Sequence, residues 1–275
     1  MSNRPRIVVT GGTGRIGSAV VRELQGRGIA LRVLTRGKRP HEELDGVDFL
    51  IGDLAAGIGV DEALDGIETV VHCAASLKWP QNKRQVSNLI AAARRGNVTH
   101  LVFVSVVGAD RIPTPGPIDR AMFGYFSMML ELEQMISASG LPWSILRATQ
   151  FHQALILIAE MMAKLPVMPV PAGFRFQPVD TRDVAVGLAD LASAKPAGIA
   201  PDIAGPRVYP ADELFRSYLR AANKRRPIVR MPIPGKAARA VREGAVLSPD
   251  HATGRRTWED FLIERTTAGA GLLTA

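Results

Sequence analysis

Thiols are nearly absent from this chain: one cysteine, Cys73, stands among 275 residues. A single thiol excludes an intrachain disulfide framework and a zinc site of several cysteines, and it fits a reducing compartment. Aromatic side chains are scarce, at 5%. Stacking platforms for nucleic acid need aromatics, so that partner is disfavoured. No apolar run approaches the ~18 residues of a membrane-spanning helix. The nearest, Ala154 to Ala163, is broken by Glu160. Met1 to Arg6 leads into no long apolar segment of a secretory signal, so a cytoplasmic protein with no membrane partner is expected. Carboxylates are in deficit. Lys plus Arg number 34 against 26 for Asp plus Glu, a formal net charge of +8. That surplus admits nucleic acid, an anionic lipid surface or a phosphorylated ligand. Metal-ligand spacing is lacking too: His41, His72, His100 and His251 form no such pattern, and no metal is expected.

What is there is alternation. Ile7 to Val9 is a short β-branched run. Ile16, Ala19, Val20 and Leu24 then fall at helical spacing, and Gly26 and Gly28 stop that helix. Further strands read at Leu31 to Leu34, Val47 to Ile51, Thr69 to Cys73, Leu101 to Val104 and Trp143 to Leu146. Helices read around Val86 to Ala93 and Met128 to Ile136. Strand and helix in alternation predict a parallel sheet covered on both faces. The strands are continuous apolar runs, as expected when both faces are buried. After residue 150 prolines become frequent. Asp180-Thr181 predicts a helix cap over Val184 to Leu191, and Ala211 to Ala222 and Lys236 to Glu243 predict further helices. The expected organisation is a core over 1–150, a smaller lobe over 151–265 and a mobile tail over 266–275.

Between the first strand and the first helix stands Gly11-Gly12-Thr13-Gly14-Arg15-Ile16-Gly17. Glycines at 11, 14 and 17 allow a tight turn, close backbone approach to a pyrophosphate, and close packing of helix on strand. The helix start then offers N–H groups and a positive dipole end to phosphate. With a strand before and a helix after, the motif predicts a dinucleotide site over Gly11, Thr13, Gly14, Arg15, Ile16 and Gly17. The second strand ends Thr35-Arg36-Gly37-Lys38-Arg39, with no carboxylate for a ribose hydroxyl. Arg36 suits a 2′-phosphate, with Lys38 or Arg39 in support, so NADP is favoured over NAD. Asp53 and Leu54 follow the third strand and would border the adenine. Ala74 and Ala75 follow the fourth strand and let backbone come close to the cofactor. Cys73 reads as a buried thiol of low reactivity.

These residues together resemble the short-chain dehydrogenase/reductase superfamily, and more narrowly its atypical, NmrA-like NAD(P)-binding branch. The resemblance rests on Thr10 to Gly17, Gly52 to Leu54, Val104 to Asp110, Ser139 to Phe151 and Gln177 to Ala185. It implies an α/β fold: a Rossmann-fold doubly wound parallel sheet with a small C-terminal substrate-binding lobe. It implies bound NAD(P) and a substrate cleft built from the C-terminal half.

The superfamily's catalytic tyrosine falls on Tyr125. The lysine that should follow four residues later, on the same helix face, is Met129. That lysine lowers the tyrosine pKa, so its loss leaves Tyr125 near ~10 and a poor base. Tyr125 reads equally well as a packing residue. Ser105 is the candidate hydroxyl after the fifth strand. Gln150, Phe151 and His152 follow the sixth strand, at the sheet edge where ligands bind, and are expected to line a substrate pocket. Met122, Met128, Met129 and Met135, then Met161, Met162 and Met168, read as core or as an adaptable apolar pocket. The expected function is an NADP-dependent oxidoreductase acting on a small apolar carbonyl or enone. The alternatives are an NADP-binding regulatory protein without redox turnover and, less favoured, an epimerase-like nucleotide-sugar enzyme. Partners are expected to be small molecules alone. The oligomeric state cannot be read.

Overall fold

The computed structural model describes residues 6–37, 44–74 and 79–269. Lys38, Arg39, Ala75 and the tail beyond Gly269 lie outside the described residues. In chain order run β1 (Ile7–Thr10), α1 (Arg15–Gly26), β2 (Leu31–Thr35), β3 (Val47–Ile51), α2 (Val60–Leu64), β4 (Thr69–His72) and α3 (Trp79–Arg95). Then come β5 (His100–Val106), α4 (Pro117–Ser137), β6 (Trp143–Ala148), α5 (His152–Met162), β7 (Met168–Pro171), β8 (Arg175–Phe176) and α6 (Thr181–Ser193). Finally β9 (Gly198–Ile199), β10 (Tyr209–Pro210), α7 (Ala211–Ala221), β11 (Ile228–Met231), α8 (Lys236–Arg242) and α9 (Trp258–Gly269) complete the described chain.

The chain divides into two compact units that interleave in sequence. The first takes Met1–Ser105, Met128–Arg147 and Val184–Pro201. The second takes Val106–Ser127, Ala148–Asp183 and Asp202–Ala275. The sequence suggested one division at residue 150. The structure instead sends the chain out of the first unit at Val106 and back at Met128, and again out at Ala148 and back at Val184. Both departures begin at the carboxyl ends of strands, β5 and β6.

The main sheet has seven strands in the order β3-β2-β1-β4-β5-β6-β9. The pairs β1–β2, β1–β4, β2–β3, β4–β5 and β6–β9 are parallel. Every residue of β1 is buried, and six of seven in β5, as both-sided burial of apolar runs requires. β3 lies at the edge and is the least buried of the sheet's long strands. On α1 the buried face is Gly17, Val20, Val21 and Leu24. The order reverses at β1, whose neighbours are β2 and β4. This is a Rossmann sheet, and its topological switch point lies at the ends of β1 and β4.

The second unit has its own core. Leu155, Ile156, Ala159, Met168, Tyr209, Phe215 and Trp258 are among its fully buried members. Two short ribbons serve it: β7 with β11, parallel, and β8 with β10, antiparallel. The helices α2, α5 and α9, the short strand β9 and both ribbons went unread in the sequence. Residues Thr266–Gly269, expected in a mobile tail, continue α9.

Candidate functional site

The phosphate loop follows β1 directly. Gly11 takes φ +69°, which disfavours any side chain. It has a second reason to be glycine. A Cβ there would stand 2.7 Å from Ala74 Cα and Ala74 N. The turn after β1 and the backbone after β4 therefore touch at the switch point. Gly17 is closed in as tightly: its Cβ would meet the Gly11 carbonyl oxygen at 2.1 Å. The helix N-terminus thus rests on its own loop. The turn closes with Gly14 N–H donating to the Gly11 carbonyl at 2.8 Å. At Gly14, the N-cap of α1, no side chain caps the helix, and its first turn carries no acid. Thr13, Gly14 and Arg15 are exposed, and Ile16 is half-buried. A glycine cradle below an open, uncapped helix start fits a dinucleotide pyrophosphate.

Beneath the loop, Thr10 Oγ1 and His72 Nδ1 lie 2.7 Å apart on paired strands. Both are fully buried. His72 stacks on Phe103 at 5.7 Å, and burial pushes its pKa down to about 4. A neutral ring therefore joins the two strand ends. Sequence reasoning missed this pair, because a histidine inside an apolar run carries no period of its own. Cys73, expected to be buried, is half-buried, and desolvation pushes its thiol up to about 12, so it stays protonated at neutral pH.

Arg36 follows β2 and is exposed. It has no ion-pair or hydrogen-bond partner among the described residues. Asp53 is half-buried and busy. Its Oδ1 accepts from the N–H groups of Ala55 at 2.7 Å and Ala56 at 3.3 Å. It holds its own turn, and Leu54 beside it is buried with its carbonyl bonded to Asn88 Nδ2 at 2.7 Å.

Ser105 is buried and its hydroxyl is committed. Oγ donates to Glu133 Oε1 at 2.5 Å. Glu133, from α4, is clamped by Arg147 of β6 in two bonds, Nε to Oε1 at 3.0 Å and Nη2 to Oε2 at 2.7 Å. The catalytic expectation for Ser105 meets a hydroxyl turned into a buried ion pair. Arg147 sat in plain view in the sequence. Glu133 did not, because one acid on an amphipathic helix looks solvated.

Tyr125 is 51% exposed on α4, and Phe126 meets it edge-on at 5.9 Å. Protein atoms near the hydroxyl push its pKa above 10, the wrong direction for a base. Met129, one turn on, is buried. Lys83 of α3 pairs with Glu131 of α4 instead.

In the second unit the expected pocket residues are engaged by the protein itself. Gln150 spends both ends of its amide: Nε2 donates to the Val246 carbonyl at 2.9 Å, and Oε1 accepts from Gln177 N–H at 3.0 Å. Phe151 bridges Val179. His152 is fully buried, so it lines no open pocket. It stacks on Phe261 at 5.0 Å and lies 5.9 Å from Trp258. Neither ring nitrogen has a hydrogen-bond partner among the described residues. Burial drives its pKa down to about 4, against the milder pull of Asp180 and the Pro178 carbonyl. The methionines divide. Met128, Met129 and Met168 are buried, whereas Met122 and Met161 are exposed. Among the described residues no cluster could hold a metal.

The chain matches the family described as NAD(P)H-binding over residues 11–163. It is 27% identical over 266 residues to an NAD(P)H azoreductase from Xenophilus azovorans, covering 90% of this chain and 89% of that protein. It is 29% identical to a (4-alkanoyl-5-oxo-2,5-dihydrofuran-3-yl)methyl phosphate reductase from Streptomyces griseus, over 75% of this chain and 70% of that one. An NADPH-dependent quinone oxidoreductase from Escherichia coli, solved with NADPH, superposes with a TM-score of 0.77 at 18% identity. The match covers 94% of this chain and 99% of that one. A nucleoside-diphosphate-sugar epimerase from Staphylococcus aureus gives a TM-score of 0.74 at 20% identity, with the same coverage. At these identities the two structures show the shared fold.

Proposed function

From a chain that belongs to the NAD(P)H-binding family, we propose an NADPH-dependent reductase of small, apolar, conjugated acceptors, with quinones and enones the best fit. When bound, the dihydronicotinamide supplies a hydride. The residues of the first unit hold the cofactor. Gly11, Gly14 and Gly17 would let backbone approach the pyrophosphate, and Arg36 would take the 2′-phosphate. Asp53 and Leu54 would border the adenine, and Ala74 would give the close backbone wall.

The observation that carries the choice of reaction is Met129. Oxidising an alcohol, as epimerase chemistry requires, needs a base for a hydroxyl proton. Tyr125 has no lysine to lower its pKa, and its surroundings raise that pKa. Reducing a quinone needs no such base. Hydride arrival makes a phenolate-like anion, whose conjugate acid lies near ~10, as for a tyrosine phenol. Water can deliver the proton after the hydride. Conjugated acceptors therefore fit a chain that kept the loop and lost the lysine. The azoreductase and the Streptomyces reductase both act in the reducing direction by name.

The test is NADPH oxidation with a set of quinones, enones, azo dyes and simple ketones. The proposal expects turnover with quinones or enones and little with ketones. Tight NADPH binding without turnover on any acceptor favours a cofactor-sensing regulator, the reading that Met129 also permits.

A further inference from the structure

One end of the second unit is formed by two neighbouring loops. The first leaves α5 and runs through Lys164, Leu165, Pro166 and Val167 into β7. The second leaves α7 and runs through Lys224, Arg225, Arg226 and Pro227 into β11. Parallel pairing of β7 with β11, in the register Met168 to Ile228, sets them side by side. Met168 N–H donates to the Pro227 carbonyl at 2.8 Å, and Arg226 Nε to the Leu165 carbonyl at 3.0 Å.

This end has charge of one sign only. Lys164, Lys224, Arg225 and Arg226 are all exposed, and none pairs with a carboxylate among the described residues. Residues 161–170 and 221–231 contain no Asp or Glu. The acids close by are engaged: Glu160 with Arg265, and Asp212 with Arg230. Among the cations stand large apolar side chains. Met161, Leu165 and Val167 are 63%, 47% and 40% exposed, and Leu157 and Ile158 extend the apolar surface along α5. Single exposed apolar residues are ordinary on a protein surface, whereas several on two neighbouring loops that also carry four cations are not.

We propose that this end docks peripherally on an anionic lipid bilayer. Met161, Leu165 and Val167 would enter the boundary between headgroups and acyl chains, with the four cations against lipid phosphates and carboxylates. The combination selects lipid over nucleic acid. A polyanion would use the cations and leave the apolar group in water, and neither loop holds an aromatic residue on which a base could stack. No helix among the described residues is long and apolar enough to cross a membrane, so the contact is one of surface. It would add a lipid surface to the small-molecule partners expected, and it stands independently of the reductase reading.

The experiment is co-sedimentation of the full chain with two kinds of vesicle: phosphatidylcholine alone, and phosphatidylcholine with about one-third phosphatidylserine. Binding to the anionic vesicles, absent with the neutral ones and weakened by salt, is expected. Lys164→Glu with Lys224→Glu and Arg225→Glu should weaken binding at least about tenfold. Met161→Ser with Leu165→Ser should weaken it comparably. Both variants should keep the NADPH-induced rise in melting temperature, which shows that they fold. Equal binding to neutral and anionic vesicles overturns the proposal. So does an apolar double variant that binds like the parent, or retention on RNA without retention on vesicles.

Discussion

At the scale of single residues, the cofactor preference rests on Arg36. It is exposed after β2, it lacks a partner among the described residues, and no acid stands in Thr35-Arg36-Gly37. A guanidinium on a phosphate dianion makes charge-assisted bonds stronger than neutral ones. Arg36→Ala should weaken NADPH about tenfold or more and leave NADH nearly unchanged. Titration calorimetry with both cofactors reads this, and equal losses for the two would remove Arg36 from the 2′-phosphate. A second residue-scale prediction concerns Glu133. Its carboxylate is almost fully buried and clamps Arg147 while accepting from Ser105. Removing one member strands the other charge in the interior. Glu133→Ala should cost about 3 kcal/mol of stability. Ser105→Ala removes one hydrogen bond and should cost about 1 kcal/mol. Urea unfolding compares them, and equal costs would refute this ordering.

At the scale of elements, the sequence announced the parts whose burial has a period. The long strands of the sheet and α1, α3, α4, α6, α7 and α8 all carry such signals. α5 stayed hidden because its apolar residues nearly encircle it, which leaves no polar face to mark a period. The two ribbons were too short to show alternation. The helices α5 and α9 meet through His152, Trp258 and Phe261, and this contact has a pH dependence. His152 and His72 are both buried with pKa values near 4, below the ordinary 6.5 of an unfolded chain. The unfolded chain therefore binds more protons than the folded one below that value. Stability is complete above pH about 6.5 and is lost progressively as pH falls toward about 4. Each ring accounts for a loss of roughly 3 kcal/mol. His152→Leu should remove about half of this slope and stabilise the fold at neutral pH, since two unpartnered nitrogens leave the interior. Urea midpoints measured across that pH window check it, and an unchanged slope would contradict it.

At the scale of the molecule, the cofactor half of the site was legible because glycine spacing reports backbone geometry directly. Gly11 and Gly17 sit where the structure leaves no room for a Cβ. The chemistry half was less legible. Ser105 and Gln150 are held by hydrogen bonds, and His152 by packing against aromatic rings, at sequence positions that suggested catalysis or ligand contact. Their partners Glu133, Gln177 and Trp258 are brought to them by the fold from afar in sequence. The charge surplus also separates at this scale: one share belongs to the glycine loop and Arg36, another to the loops after α5 and α7 of the second unit.

The central claim is that this chain reduces conjugated acceptors with NADPH and without a tyrosine base. Its most direct measurement is single-turnover oxidation of protein-bound NADPH after rapid mixing with a quinone, in the parent chain and in Tyr125→Phe. The account predicts complete oxidation in both, with rates within about threefold and both slowed by deuterium at the transferring position of the nicotinamide. Bound NADPH that persists unoxidised in the parent, or oxidation abolished by Tyr125→Phe, would contradict it.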